Sequence, residues 1–270
     1  MDLCFKILDE AMNTKAVSKG VNEVSLVYSQ KYEPGDRIIL ETSGEEAFVW
    51  LQMDDALGKA LVYITGNVEY LVPFGEKRIN LSPKAFYGSR HLLHARLARD
   101  YDVDGYRNLA INVYDQHPLK DCYPHAVANV ETRGETVFAA QNAIDGVVVN
   151  TCHGEWPYQS WGIDRKEDAC IKIEFGRTVE IDRIVLYTRA DFPHDNWWSS
   201  VHFDFSDESG IEMQMEKSTL PHEITFTPKR VRWVEMNHMV KSGEPSPFPA
   251  LTQIEVYGRE VLPDEISIKG

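Results

Sequence analysis

Three stretches between residues 171 and 216 alternate apolar and polar side chains with a period of two. Ile171, Ile173 and Phe175 are interleaved with Lys172 and Glu174; Val201, Phe203 and Phe205 with His202, Asp204 and Ser206; Ile211, Met213 and Met215 with Glu212, Gln214 and Glu216. In an extended chain every second side chain points to the same side, so this period predicts antiparallel strands with one face on a core and the other in water. Asp207-Glu208-Ser209-Gly210 supplies the tight turn between the second and third stretches.

The first half of the chain has a related texture. After Gly20, short runs rich in β-branched and aromatic residues are bounded by turn residues. Tyr32-Glu33-Pro34-Gly35-Asp36 leads into a run at 37–41, 47–53 follows Ser43-Gly44-Glu45, and 61–64 and 68–72 flank Thr65-Gly66-Asn67. Further strands are expected at 91–98 and 109–114. No helical pattern separates these runs, which predicts a sandwich or barrel. Ahead of them, Leu3, Cys4, Ile7, Leu8, Ala11 and Met12 fall at helical spacing, which predicts one short amphipathic helix over 2–18.

At 270 residues the chain exceeds the usual domain of about 100–150. Pro118 and its polar neighbours interrupt the strand pattern at 116–120, which reads as a linker. The expected architecture is therefore all-β: two tandem antiparallel β-sandwiches, 1–118 (with the short N-terminal helix) and 119–260, followed by a tail at 261–270.

Acidic residues outnumber basic ones by 42 to 28, and a net charge of -14 repels phosphate backbones and anionic head groups. Nucleic acid is excluded as an expected partner. No run of about 18 apolar residues and no apolar leader occurs, so no membrane span is expected and a cytoplasmic location is. Cys4, Cys122, Cys152 and Cys170 lack Cys-x-x-Cys or zinc-finger spacing, as free thiols of a reducing compartment would. The sequence leaves oligomeric state open.

Six segments of the second half carry a family pattern. In order they are Ala143-Ile144-Asp145-Gly146, Asn150-Thr151, Trp161-Gly162-Ile163, Ile171 to Gly176, Val179 to Ile184, and Leu251 to Gly258. Together they resemble the discoidin, or coagulation factor 5/8 type C, domain and its relative the family 32 carbohydrate-binding module. The resemblance covers residues 123–260 and implies a jelly-roll, galactose-binding-like sandwich whose end loops hold a sugar or glycan. It also implies a structural Ca²⁺ near Asp145, Thr151 and Gln253. Val147 and Gln253 depart from the Asn or Asp and the Glu that the pattern often has there. Cys122 has no partner cysteine near Tyr257, so the disulfide that joins the ends of extracellular members is missing.

The residues themselves point the same way. A hard cation wants six to eight oxygens, which the Asp145 carboxylate, the Thr151 hydroxyl, the Gln253 amide and turn carbonyls can offer; the plainer alternative is that Asp145 caps a turn in which Gly146 takes a positive φ. Sugar sites combine a ring that covers the C–H face of a pyranose with directional groups for its hydroxyls. Two loops have that mixture: 152–161, with His153, Glu155, Trp156, Tyr158 and the core candidate Trp161, and 189–198, with Arg189, Asp191, His194 and Trp197. The expected function is carbohydrate recognition by the eight of these residues other than Trp161. The alternative is a catalytic or accessory subunit acting on glycosides, since His153, Glu155, Asp191 and His194 contain enough acids and bases for a carboxylate pair or a His-assisted proton transfer.

Overall fold

The computed structural model describes residues 1–44 and 46–261, and the expected C-terminal tail lies, from 262 onward, outside them. Nearly all of the regular structure is antiparallel strand. Those of the first half are β1 (Asp2–Leu8), β2 (Thr14–Val21), β3 (Glu23–Tyr28), β4 (Arg37–Thr42), β5 (Ala47–Gln52), β6 (Ala60–Ile64), β7 (Val68–Leu71) and β8 (His91–Leu97). The short β9 (Arg107–Asn108), β10 (Cys122–Tyr123), β11 (His125–Ala128) and β12 (Trp161–Gly162) precede the long strands. These are β13 (Ile171–Thr188), β14 (Trp198–Phe205), β15 (Gly210–Gln214), β16 (His222–Lys241) and β17 (Ala250–Glu260). No helix among the described residues is long and apolar enough to cross a membrane.

The N-terminal helix is not formed. Residues 2–21 are the hairpin β1–β2, and β1 pairs with β4 on its other edge. Leu3, Phe5 and Ile7 are buried, but so are Cys4 and Leu8. Cys4 and Leu8 lie on the face opposite Phe5 and Ile7, with the partly exposed Lys6 between them, and the resulting near-continuous apolar run imitates helical spacing. The turn is closed by Asp9, whose carboxylate accepts from the Asn13 backbone N–H at 2.8 Å, while Met12 takes a left-handed φ of 68°. The strand expected at 109–114 is also absent: only Arg107 and Asn108 pair, at the edge of β17.

In the first half a four-stranded sheet (β2-β1-β4-β7) and a five-stranded sheet (β10-β6-β5-β8-β3) enclose one core that includes Phe5, Ile38, Leu40, Val49, Leu51, Val62, Tyr70 and Leu93. In the second half an eight-stranded arrangement (β12-β17-β13-β16-β14-β15, with β11 on β13 and β9 on β17) encloses another, around Trp161, Phe175, Ile184, Trp198, Phe203 and Val256. β13 makes this a sandwich. Its pairing with β16 breaks between Glu174 and Val179, where Gly176 has a φ of +70° and a Cβ would lie 2.4 Å from the Tyr123 ring. Residues on both sides of the break, Phe175 and Val179, point into the same core.

The chain is shared between the two cores over 107–128. Leu109 and Ala110 belong to the second core, Tyr114, Leu119 and Cys122 to the first, and Ala126 to the second again. The segment 116–120 therefore runs against the first core: Leu119 is buried, and the Gln116 amide bonds the backbone N–H and C=O of Leu71. Buried Asn80 donates to the Asn142 side chain at 2.8 Å, a further tie between the halves.

Candidate functional site

Strand register decides which loops can meet. Thr188, the last residue of β13, pairs with Leu251 near the start of β17; Trp161 of β12 pairs with the same Leu251; Trp198, the first residue of β14, pairs with Lys241, the last of β16. The loops after β12, after β13 and after β16 therefore open at one end of the second sandwich. Hydrogen bonds bring the loop before β12 to the one after β13: Asn150 donates its amide to the Thr188 carbonyl, and Ala190 donates its N–H to the Asn150 carbonyl.

At this end lies a cleft of about 190 Å³, lined by Arg133, Phe138, His153, Arg165, Arg189, His194 and Phe248 among others. It is smaller than the about 300–1,000 Å³ of sites for drug-sized ligands, so it has room only for a small group. The His153 and His194 rings stack with centroids 4.1 Å apart and planes 4° apart, and Phe248 stacks on His194 at 5.4 Å and 15°. The Arg165 guanidinium sits 5.8 Å from the Phe248 ring. The result is a column of flat groups with N–H donors along its edges. Arg133, Asp164 and Arg165, all in the cleft wall, take left-handed φ values of 53°, 47° and 61°. Such backbone is costly for residues with a Cβ and concentrates at ligand-contacting sites.

Beneath the column, Arg189 donates to buried Asp195 from Nε (2.9 Å) and Nη2 (2.6 Å). Asp195 also accepts from the Asp191 backbone N–H and contacts His194 Nδ1 at 3.1 Å. His153 Nδ1 is 2.8 Å from the Asp191 carboxylate. One buried ion pair thus positions the whole turn.

The eight expected ligand-binding residues do not all converge. His153, Arg189 and His194 line the cleft, and Asp191 adjoins it through His153. Glu155 and Trp156 line a different groove with Gly75, Arg78, Ile79, Leu81 and Pro83 of the first half. The Trp156 backbone N–H donates to the Ile79 carbonyl at 2.9 Å, which draws the middle of the loop that way. Trp156 is 40% exposed there. Tyr158 is half-buried and lines neither groove. Trp197 is half-buried with its indole N–H donated to Glu244 at 3.1 Å, outside the cleft lining. Glu155 and Asp191 therefore do not face each other across one cleft as a catalytic pair would. Phe248 was not singled out in the sequence. The Pro245-Ser246-Pro247-Phe248-Pro249 run was its signal, since prolines stiffen a loop that carries an exposed ring.

At the expected metal turn, Gly146 has a φ of +85° and donates its N–H to the Gln253 amide oxygen at 3.1 Å. Asp145 accepts from the Val147 N–H (2.8 Å) and from the Gln159 amide (2.6 Å). Thr151 is exposed. Burial pushes the Asp145 carboxyl up to about 7, and only partly do the Gln159 and Val147 hydrogen bonds pull it back. The Gln159 amide oxygen, Oε1, is buried without a hydrogen-bond partner.

No protein-family model matches the sequence, and no curated protein matches it. Among solved structures the chain is similar to chitosan-binding module 1 of a chitosanase/glucanase from Paenibacillus sp. IK-5, with 21% identity, a TM-score of 0.40, and coverage of 56% of this chain and 98% of that one. The family 32 carbohydrate-binding module of C. perfringens NanJ, solved with galactose, is 17% identical with a TM-score of 0.37, covering 49% and 91%. A fucose-binding module of Streptococcus pneumoniae is 14% identical with a TM-score of 0.40, covering 57% and 98%.

Proposed function

We propose that this chain is a carbohydrate-binding protein that takes a single sugar unit into the cleft at the end of its second sandwich. The observation that carries the reading is the stacked column of His153, His194 and Phe248 beside Arg165 and Arg189 in one small, pre-formed cleft. Rings cover the apolar C–H face of a pyranose, and imidazole and guanidinium N–H groups give its hydroxyls directional partners. The ion pair of Arg189 with Asp195 holds the wall in place before any ligand arrives, so little ordering is left for binding to offset.

A glycan array identifies the ligand and calorimetry then measures variants. Phe248→Ala removes contact area, and His194→Ala removes a ring and a hydrogen-bonding edge, so each costs on the order of 1–3 kcal/mol of binding, roughly 5- to 150-fold. Both side chains are exposed, so the melting temperature stays near that of the parent. Trp197→Ala, outside the cleft, weakens binding less. A folded Phe248→Ala/His194→Ala protein with undiminished affinity would move the site elsewhere.

A structural Ca²⁺ near Asp145 belongs to the same proposal. A buried carboxylate whose hydrogen bonds come only from Gln159 and Val147, next to an unpartnered Gln159 oxygen, is a set of hard oxygen donors that a hard cation suits. Asp145, Gln159 and Gln253 would hold it. In chelator, the raised carboxyl makes the native state bind a proton that the unfolded chain releases. Stability therefore falls as pH rises from about 4 to about 7. Asp145→Asn, whose amide N–H₂ can satisfy the free Gln159 oxygen, is expected to be more stable than the parent at pH 8 by on the order of 1–3 kcal/mol, with the difference vanishing near pH 4. Millimolar Ca²⁺ should raise the melting temperature of the parent and leave that of Asp145→Asn unchanged. A parent indifferent to Ca²⁺ removes the cation.

A further inference from the structure

We infer that Cys152, His153 and Asp191 form a Zn²⁺ site at the rim of the cleft. The inference stands apart from the sugar reading, since it uses the chemistry of three side chains and not the shape of the cleft. A ligand atom from each residue, the Cys152 sulfur, a His153 ring nitrogen and an Asp191 carboxylate oxygen, lies within 4.8 Å of the other two. In tetrahedral zinc sites, with bonds of about 2.3 Å to sulfur and about 2.0–2.1 Å to nitrogen and oxygen, neighbouring donor atoms stand about 3.3–3.6 Å apart. The His153–Asp191 contact of 2.8 Å is already inside that span, so small side-chain rotations close the triangle.

The donor types select the ion. One thiolate, one imidazole and one carboxylate make a borderline set, which suits Zn²⁺ and its neighbours; a hard ion such as Ca²⁺ or Mg²⁺ would decline the sulfur and the nitrogen. All three residues are half-buried, so the ion can enter from solvent. The Cys152 thiol makes only a long contact of 3.8 Å to the His153 carbonyl, which leaves it available.

The surroundings hold the three donors in place. Asn150 is buried and bonded to Thr188, Thr219 and Ala190, which fixes the segment leading to Cys152 and His153. The Asp191 backbone N–H donates to Asp195 and its carbonyl accepts from the Asp195 N–H, which fixes Asp191. His194 covers one face of the His153 ring. Such outer contacts orient ligands and sharpen affinity. By comparison, in the other mixed cluster, Asp54, Asp55 and His91, both Asp54 oxygens already accept backbone N–H groups, from Ala56 and Phe86. Three protein donors leave the fourth zinc position for water or another small oxygen ligand.

The test uses the full chain, stripped with a chelator and desalted under reducing conditions. Zn²⁺ is titrated against a chromophoric competitor, and Co²⁺ serves as the spectroscopic probe. One equivalent of Zn²⁺ is expected, and Co²⁺ should give a thiolate-to-metal charge-transfer band with the intense visible bands of tetrahedral coordination. Cys152→Ser should abolish the charge-transfer band. Asp191→Asn should lower Zn²⁺ affinity at least about tenfold. Cys170→Ser, which alters the other half-buried cysteine, should change neither. Metal-free Cys152→Ser is expected to melt with the metal-free parent, since serine keeps the size of the half-buried side chain and can keep its contact with the His153 carbonyl. Sub-stoichiometric binding, a Co²⁺ spectrum without a thiolate band, or a band that survives in Cys152→Ser would overturn the site.

Discussion

Arg189→Ala is expected to destabilise the protein by about 3–5 kcal/mol, a larger effect than any loss of ligand contact at the same residue. The guanidinium is 6% and the Asp195 carboxylate 0% exposed, and they share short bonds from Nε and Nη2. Truncation leaves Asp195 buried with its charge facing only the Asp191 N–H and the His194 ring. At about 2–4 °C per kcal/mol for a chain of this size, the melting temperature should fall by roughly 6–20 °C. Arg189→Met/Asp195→Leu, which removes both charges and keeps the volume, should recover much of the loss. A single variant melting within a degree of the parent would show that the ion pair does not hold the turn. Arg189 read as a ligand donor in the sequence; the structure makes it chiefly the anchor of the wall, so weaker binding in Arg189→Ala does not by itself locate the sugar.

Trp161→Ala should cost a similar about 3–5 kcal/mol, for a different reason. Its ring is fully buried in the second core, and its N–H donates to the Val130 carbonyl at 2.9 Å. Loss of the ring opens a cavity and orphans the carbonyl; Trp161→Phe, which keeps most of the ring, should cost only about 1–3 kcal/mol. Denaturant midpoints at constant slope measure both. Gly162, Ile163 and Asp164, which follow it, line the cleft, so Trp161→Ala should also weaken binding through the shape of the wall. A Trp161→Ala protein as stable as the parent would contradict the assignment of that tryptophan to the core.

The strands most legible in the sequence were those with one wet face. The alternation at 201–205 and 211–215 became β14 and β15, joined at the turn expected for them. β1 was illegible because Cys4 and Leu8 add buried apolar residues on the face opposite Phe5 and Ile7, so local spacing did not reveal the alternation of a strand held between two partners. Much the same limit divided the loop 152–161. Nothing local in Glu155 or Trp156 reveals that Ile79, far off in sequence, accepts the Trp156 N–H and turns both residues toward the first half. His153 and His194 were visible as polar loop residues, but their stacking depends on the Asn150 bonds that bring two loops together. The role of Phe248 depends on a third loop that only strand register places at the same end.

The central claim is tested most directly by following the protein's amide and side-chain N–H resonances while monosaccharides are titrated one at a time. The account predicts at least one sugar with saturable shifts concentrated at Arg133, His153, Arg165, His194 and Phe248 and absent from Trp156 and residues 75–83. Saturable shifts confined to Trp156 and 75–83, or no saturable shift with any sugar of the panel, would contradict it.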